Sequence, residues 1–206
     1  MKRYVIGDIH GCYDELFKLL VKITEHANGE KFKLIFVGDY VDRGPNSKAV
    51  IGHVMDLQRR GHVALMGNHE DMLINGELMY AKETLQSFQA NYLPEHISNW
   101  MRALPKYYED DTMVVSHAGV NPEFPMNEQT DTWLLWYRYN RGQPADYGRH
   151  FYHGHTPTID WIERSIDRTN VDTGCVFGGH LTAAVVGDDG SPVDFIQVKA
   201  NKNHYH

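Results

Sequence analysis

Five β-prone runs in this chain each end in a glycine-punctuated polar loop, and that repeated join restricts the fold more than any other feature. Residues 3–6 run into Gly7-Asp8-Ile9-His10-Gly11, and residues 33–37 into Gly38-Asp39-Tyr40-Val41-Asp42-Arg43-Gly44. Residues 62–66 run into Gly67-Asn68-His69-Glu70, residues 112–116 into His117-Ala118-Gly119, and Phe151-Tyr152 into His153-Gly154-His155-Thr156. Helical periodicity follows the first three loops. Leu16, Leu19, Leu20 and Ile23 form an apolar stripe with Asp14 as its cap and Asn28-Gly29 as its stop. Residues 47–60 carry Ala49, Val50, Val54 and Leu57 and close at Gly61 in the C′ position. A third helix is expected through Met72, Leu73, Leu78 and Met79. Alternation of this kind predicts an α/β architecture whose strand-end loops gather on one edge, where a ligand site forms.

The later chain changes character. Residues 84–104 read as helical, with Pro94 opening a second part, and as a cap or packing layer. Residues 121–130 hold two prolines and read as a surface loop. The aromatic patch at 133–139 is assigned to the core, because a buried aromatic removes a large apolar area from water. Residues 170–174 read as turn chemistry. Residues 181–186 and 193–198, joined by Gly187-Asp188-Asp189-Gly190, read as a β-hairpin, and the polar tail from 201 to 206 as frayed. A doubly layered sheet with helices outside accommodates both halves.

The length suits one domain, residues 1–206, and no linker-like run divides it. No apolar run approaches the roughly 20 residues that span a bilayer, and the first residues read as a strand rather than a signal peptide. The expectation is a cytoplasmic protein that does not engage membranes. A net charge of −7 supplies no basic stripe for nucleic acid. The two cysteines, Cys12 and Cys175, lie far apart without metal-ligand spacing and are expected to be reduced thiols.

The strand-end loops collect Asp8, His10, Asp39, Asn68, His117 and His155. Carboxylate, imidazole and amide oxygen are donors that suit Mn, Fe or Zn better than Ca or an ion that demands thiolates. Six donors serve two ions if one bridges, and Asp39, in the central loop, is the expected bridge. In the same loop Asp42 can orient a neighbouring imidazole and Arg43 can fork onto phosphate. Each residue alone has a dull explanation; five such loops after five strands do not share one.

As an ordered set, Gly7-Asp8-Ile9-His10-Gly11, Gly38-Asp39-Tyr40-Val41-Asp42-Arg43-Gly44, Gly67-Asn68-His69-Glu70, His117-Ala118-Gly119 and His153-Gly154-His155 resemble the signature of the calcineurin-like metallophosphoesterases. More narrowly they resemble the phosphoprotein phosphatase branch that includes the bacteriophage lambda and bacterial serine/threonine phosphatases. The resemblance implies a four-layer α/β fold, two mixed β-sheets packed as a sandwich flanked by helices. It implies two divalent metal ions, manganese first among them, one held by Asp8, His10 and Asp39 and the other by Asp39, Asn68, His117 and His155. It further implies His69 and Asp42 as a proton-donor pair, and Arg43, Asn68 and Arg138 as phosphate contacts.

Two ions that share a carboxylate can share and activate a water for in-line attack on phosphorus, while His69 protonates the departing oxygen. The substrate expected is a phosphoprotein or a small phosphoester. Two features leave alternatives open. Met66 stands where many related phosphatases have arginine, and Asp172-Thr173-Gly174-Cys175 with Gly178-Gly179 and Leu181-Thr182 also resembles the symmetrical diadenosine tetraphosphate hydrolases. The intact Asp42-Arg43 pair looks more like the protein phosphatases, which is the reading favoured here. A catalytically inactive metal- or phosphate-binding module is a third reading, against which every expected ligand and the expected acid are present.

Overall fold

The computed structural model describes residues 1–77, 79, 81–159 and 161–201. Among these residues ten strands form two mixed sheets. In the first, β1 (Lys2–Ile6), β2 (Phe32–Phe36) and β3 (Val63–Ala64) are parallel, β9 (His180–Val186) runs antiparallel to β1, and β10 (Pro192–Lys199) runs antiparallel to β9. Their order is β10-β9-β1-β2-β3, with the short β8 (Asp172–Thr173) on β9. The second sheet orders β4 (Tyr107–Glu109), β5 (Met113–Ser116), β6 (His150–His153) and β7 (Arg168–Asn170), with β4 antiparallel to β5.

Period-two alternation of side chains explains the layers. Val5, Ile35, Val37, Met113, Val115, Tyr152, Ala184 and Val186 share one buried cluster drawn from both sheets, so they fill the space between them. Their neighbours Tyr4, Ile6, Leu34, Phe36, Val114, Phe151, Ala183 and Val185 point the other way, into a cluster that contains the helix stripes. Leu16, Leu19 and Ile23 of α1 (Tyr13–Ala27) and Val50, Ile51 and Val54 of α2 (Ser47–Arg59) cover the first sheet in this way. Each of these side chains, taken fully out of water, contributes about 1.5–3 kcal/mol. Two mixed sheets flanked by helices are thus the observed architecture.

Several element boundaries differ from the sequence reading. Cys12, not Asp14, is the cap residue of α1, and Asp14 lies inside the first turn. The helix ends as expected, at Asn28 (φ 49°) and Gly29 (φ 82°). The third helix, α3 (Asn68–Ile74), stops at Asn75-Gly76; Met79 is exposed, and Leu78 lies outside the described residues. The stretch at 84–104 is two helices, α4 (Lys82–Phe88) and α5 (Glu95–Arg102), packed against α2 and α3 respectively. Gln89 closes α4 in a left-handed conformation, and Pro94 opens the second part as read, barring its predecessor from the helical region.

Residues 170–174, read as a turn, are mostly extended and build the end of β7 and all of β8; only Gly174 (φ 69°) has the conformation expected of a turn. The hairpin of β9 and β10 forms as read, with an irregularity between Pro192 and Asp194. In the aromatic patch Leu134, Leu135 and Tyr139 are buried, but Trp136 is 41% exposed and leaves the core assignment. The loop after residue 121 buries Met126 in a single helical turn. Residues 202–206 of the tail lie outside the described residues.

Candidate metal and phosphate site

Register brings the loops together. Ile6 pairs with Phe36 and Phe36 with Ala64, so the loops after β1, β2 and β3 leave the first sheet side by side. Val115 pairs with Tyr152 and His153 with Asn170, which does the same for the second sheet. Strain concentrates where they meet. Of the eight non-glycine residues with positive φ among the described residues, five lie in these loops: His10 (44°), Asp39 (54°), Asp42 (68°), Arg43 (66°) and His155 (68°). Close approach adds a steric requirement, because a Cβ at Gly154 would overlap the Asp8 carboxylate and one at Gly67 the Asp39 carboxylate.

Glu70 holds the central loop. It is fully buried at the third position of α3, and its two oxygens accept the backbone N–H groups of Asp39 (2.8 Å), Tyr40 (2.8 Å), Val41 (3.2 Å) and Gly67 (3.0 Å). Four donors on one carboxylate fix the turn that presents Asp39. The sequence signal was available, a glutamate at the third position of a helix whose cap is a glycine, but the reach across to residues 39–41 is tertiary.

Asp39 is the centre of the site. Its Oδ2 lies 3.3 Å from His10 Nε2, its Oδ1 lies 3.5 Å from His117 Nε2, and Oδ1 also accepts the His69 N–H at 3.0 Å. Asn68 Oδ1 lies 2.8 Å from His117 Nε2 and 3.0 Å from His155 Nδ1, and Asp8 Oδ2 accepts the His155 N–H at 3.1 Å. Within this site two groups of donors among the described residues lie close enough to hold an ion, His10-Asp39-His69 and Asp8-Asp39-His117, and both contain Asp39. The grouping differs from the expected one in pairing Asp8 with His117 and in bringing His69 to His10.

His69 Nδ1 lies 2.7 Å from Asp42 Oδ2, and Asp42 also accepts Thr84 Oγ1 at 2.6 Å. Arg43 donates to His10 Nε2 at 2.5 Å and lies over the Phe177 ring. Arg138 stands apart from this buried set; it is exposed and reaches Thr156 Oγ1 at 3.3 Å, beside the His155 loop. Met66 is buried in the core, so nothing basic enters from that position.

Electrostatics favour a cation. Burial keeps the imidazoles neutral: His10 is lowered to about 4, His155 to about 3, and His117 is lowered too. Burial pushes Asp39 up, but the imidazoles of His117, His69 and His10 outweigh it and hold the carboxyl well below its usual range. Asp8 is raised well above, by burial and then by the charges of Asp172 and Asp39.

The polar atoms are also left short of protons. Asp8 Oδ1 is buried with no hydrogen-bond partner among the described residues. His117 Nδ1 faces the Val37 carbonyl at 3.1 Å while its Nε2 faces the Asn68 carbonyl oxygen, and a neutral ring can donate to only one of them. A cation at the Nε2 side would satisfy Asn68, Asp39 and His117 together, with Val37 fixing the tautomer. The residues present therefore fit divalent ions.

Asp172 belongs to the same cluster and was missed. It is buried behind Asp8, and burial first, then Asp39, raises it to about 6. Its sequence context, a polar strand-end run before a glycine, matches the other loops but also has the composition of a turn.

A family described as calcineurin-like phosphoesterase matches residues 1–187. Among curated proteins, the chain is similar to the asymmetrical bis(5'-nucleosyl)-tetraphosphatase of Anoxybacillus flavithermus, 33% identical over 87% of this chain and 88% of that one. It is 31% identical to the protein of the same description from Oceanobacillus iheyensis, over 89% and 88%. Among solved structures, a protein described as a diadenosine tetraphosphatase superposes with a TM-score of 0.74 at 24% identity, covering 97% of this chain and 93% of that one. A serine/threonine phosphatase from Saccharomyces cerevisiae superposes with a TM-score of 0.67 at 18% identity, covering 98% and 81%.

Proposed function

Since the chain belongs to the calcineurin-like phosphoesterase family, we propose that it is a metal-dependent hydrolase of bis(5'-nucleosyl) tetraphosphates, cutting them asymmetrically into a nucleoside triphosphate and a nucleoside monophosphate. The observation that carries this reading is the 31–33% identity to asymmetrical tetraphosphatases over nearly the whole of both chains. It ranks the dinucleotide above the phosphoprotein favoured from sequence. Residues 1–206 act as one catalytic domain in this reading, and the compartment is the cytoplasm.

Asp8, His10, Asp39, Asn68, His117 and His155 would hold the ions, with manganese the first choice. Such ions supply an activated water and offset charge on the phosphoryl oxygens. The chain's own residues do the rest. Arg43 and Arg138 bind phosphoryl oxygens from opposite loops, and Asn68 orients the group at the head of α3. Water adds to phosphorus, the bridging P–O bond breaks, and the departing phosphate leaves as an anion. It needs little help from a proton donor.

A second reading is favoured by one contact. The His69 and Asp42 pair at 2.7 Å is an oriented acid, which a serine or threonine alkoxide needs and a phosphate leaving group does not. The two are separated by comparing kcat/KM on diadenosine tetraphosphate and on a phosphothreonine peptide, with manganese-loaded protein and an Asp39→Asn control. Preference for the dinucleotide with ATP and AMP as products supports the proposal. Two molecules of ADP would indicate symmetrical cleavage, preference for the peptide would establish the phosphatase, and inactivity of loaded protein on both would leave a binding module.

A further inference from the structure

The two cysteines, 163 positions apart, meet in space. Cys12 and Cys175 are each 1% exposed, and their sulfurs lie, with a Glu15 carboxylate oxygen, in a group whose atoms are all within 4.8 Å of one another. The Cys12 thiol also donates to the His10 carbonyl at 3.6 Å. We propose that Cys12 and Cys175 are a modification site, a thiol pair that a peroxide oxidises to a reversible disulfide, and that the bond lowers phosphoesterase activity by moving the loops of His10 and Asp172.

Access comes from a hollow of about 250 Å3 lined by Cys12, Tyr13, Glu15, Pro45, Asn46 and Asn201. Cys12 borders it and Cys175 does not, so Cys12 meets the peroxide first. Its thiol takes one oxygen to give a sulfenic acid and releases water. The Cys175 sulfur then attacks the Cys12 sulfur, the S–O bond breaks, a second water leaves, and the disulfide remains. The peroxide gains the two electrons that the thiols lose. Dithiothreitol returns both thiols.

Both ends of the new bond sit in turns that touch the catalytic loops. On one side, the N–H groups of His10 and Gly11 bond the carbonyls of Asp39 and Tyr40, and the Gly11 carbonyl accepts Asn46 N–H at 3.1 Å. A Cβ at Gly44 would overlap the His10 carbonyl, so this segment has no slack. On the other side, Cys175 opens a one-turn helix (Cys175–Phe177) after Gly174, whose N–H bonds Asp172 Oδ1 at 3.0 Å, and Phe177 in that turn lies beneath Arg43. Thiols in contact at ordinary separation must close to about 2 Å to bond. That approach removes the Cys12 bond to the His10 carbonyl and draws the turns of His10 and Asp172 together.

The test exposes the native, metal-loaded protein to hydrogen peroxide, removes the peroxide with catalase, and follows activity and peptide mass in parallel. The expected result is a Cys12–Cys175 linked peptide lighter by two hydrogens, with activity lower by about 10- to 10²-fold and restored by dithiothreitol. Cys175→Ser and Cys12→Ser should keep their own untreated activity after the same exposure. Should either serine variant fail to fold, the linked peptide and the reversible loss in the unsubstituted protein still decide. The proposal is overturned if both thiols remain open to alkylation after exposure, or if the linked protein is as active as the reduced one. An equal loss in the serine variants would overturn it as well, by tracing inactivation elsewhere.

Discussion

Replacing Glu70 with glutamine would remove half of the acceptors that shape the central loop. Oε2 receives Asp39 and Gly67, and Oε1 receives Tyr40 and Val41, two N–H groups on each oxygen. The amide keeps one oxygen and sets an NH2 against the other two donors. Two buried N–H groups without acceptors cost about 1–3 kcal/mol each, so Glu70→Gln should lose about 2–6 kcal/mol. Set against a whole-domain stability of about 5–15 kcal/mol, that is a large fraction. Urea denaturation of the metal-free protein reads it directly as a lower midpoint.

The competing influence is burial, which with the charge of Asp39 pushes the Glu70 carboxyl up, to about 8, against the pull of the N–H groups. If burial prevailed, the folded state would bind a proton that the unfolded state releases. Stability would then fall as pH rises from about 4.5 to about 8, and a neutral amide would be tolerated. We expect the four donors to prevail and the carboxylate to be ionised. A Glu70→Gln protein within about 0.5 kcal/mol of the unsubstituted one, together with that pH-dependent fall, would refute the reasoning.

His69→Ala should lower turnover by about 10²–10⁴ on a phosphothreonine peptide and far less on diadenosine tetraphosphate or a nitrophenyl ester, whose leaving groups depart unaided; equal losses would remove His69 from the acid role. Gly154→Ala drives a methyl group into the Asp8 carboxylate and should weaken manganese binding by about 10- to 100-fold in a calorimetric titration, whereas unchanged affinity would show that Asp8 is not a ligand. Burial pushes Asp110 up, but hydrogen bonds from Thr112, Arg3 and Met113 outweigh it and hold the carboxyl at about 2. Its stabilisation is present above the ordinary aspartate value and lost as pH falls through about 2, so Asp110→Asn should flatten that part of the acid unfolding curve.

Much of this arrangement was legible because it is local. A strand followed by a glycine and a polar residue is written in consecutive letters, so Asp8, Asp39, Asn68, His117 and His155 could be collected without knowing how the strands pair. Their spatial grouping was less legible. The pairing of Asp8 with His117 depends on how the two sheets face each other, and that of His10 with His69 on the order of β1, β2 and β3 within the first sheet. Asp172 is hidden for a related reason, since Asn170-Val171-Asp172-Thr173-Gly174 has the composition of a turn and is extended because Asn170 pairs with β6 and Asp172 and Thr173 pair with β9. Helix lengths failed where a single residue ended them, as at Gln89 and Gly76. The contact between Cys12 and Cys175 has no local trace; it follows from β1 and β9 being neighbours.

The left-handed residues at His10, Asp39, Asp42, Arg43 and His155 set a limit on how this protein can be improved. Left-handed backbone costs about 1–2 kcal/mol at each L-residue and almost nothing at glycine. A screen that selects only for resistance to heat should therefore be drawn to glycine at these five positions. Arg43 is the most exposed to that pull, since it follows another left-handed residue and reaches the site through its side chain. The sequence that folds most firmly and the sequence that handles phosphate are different sequences, and they part at these loops.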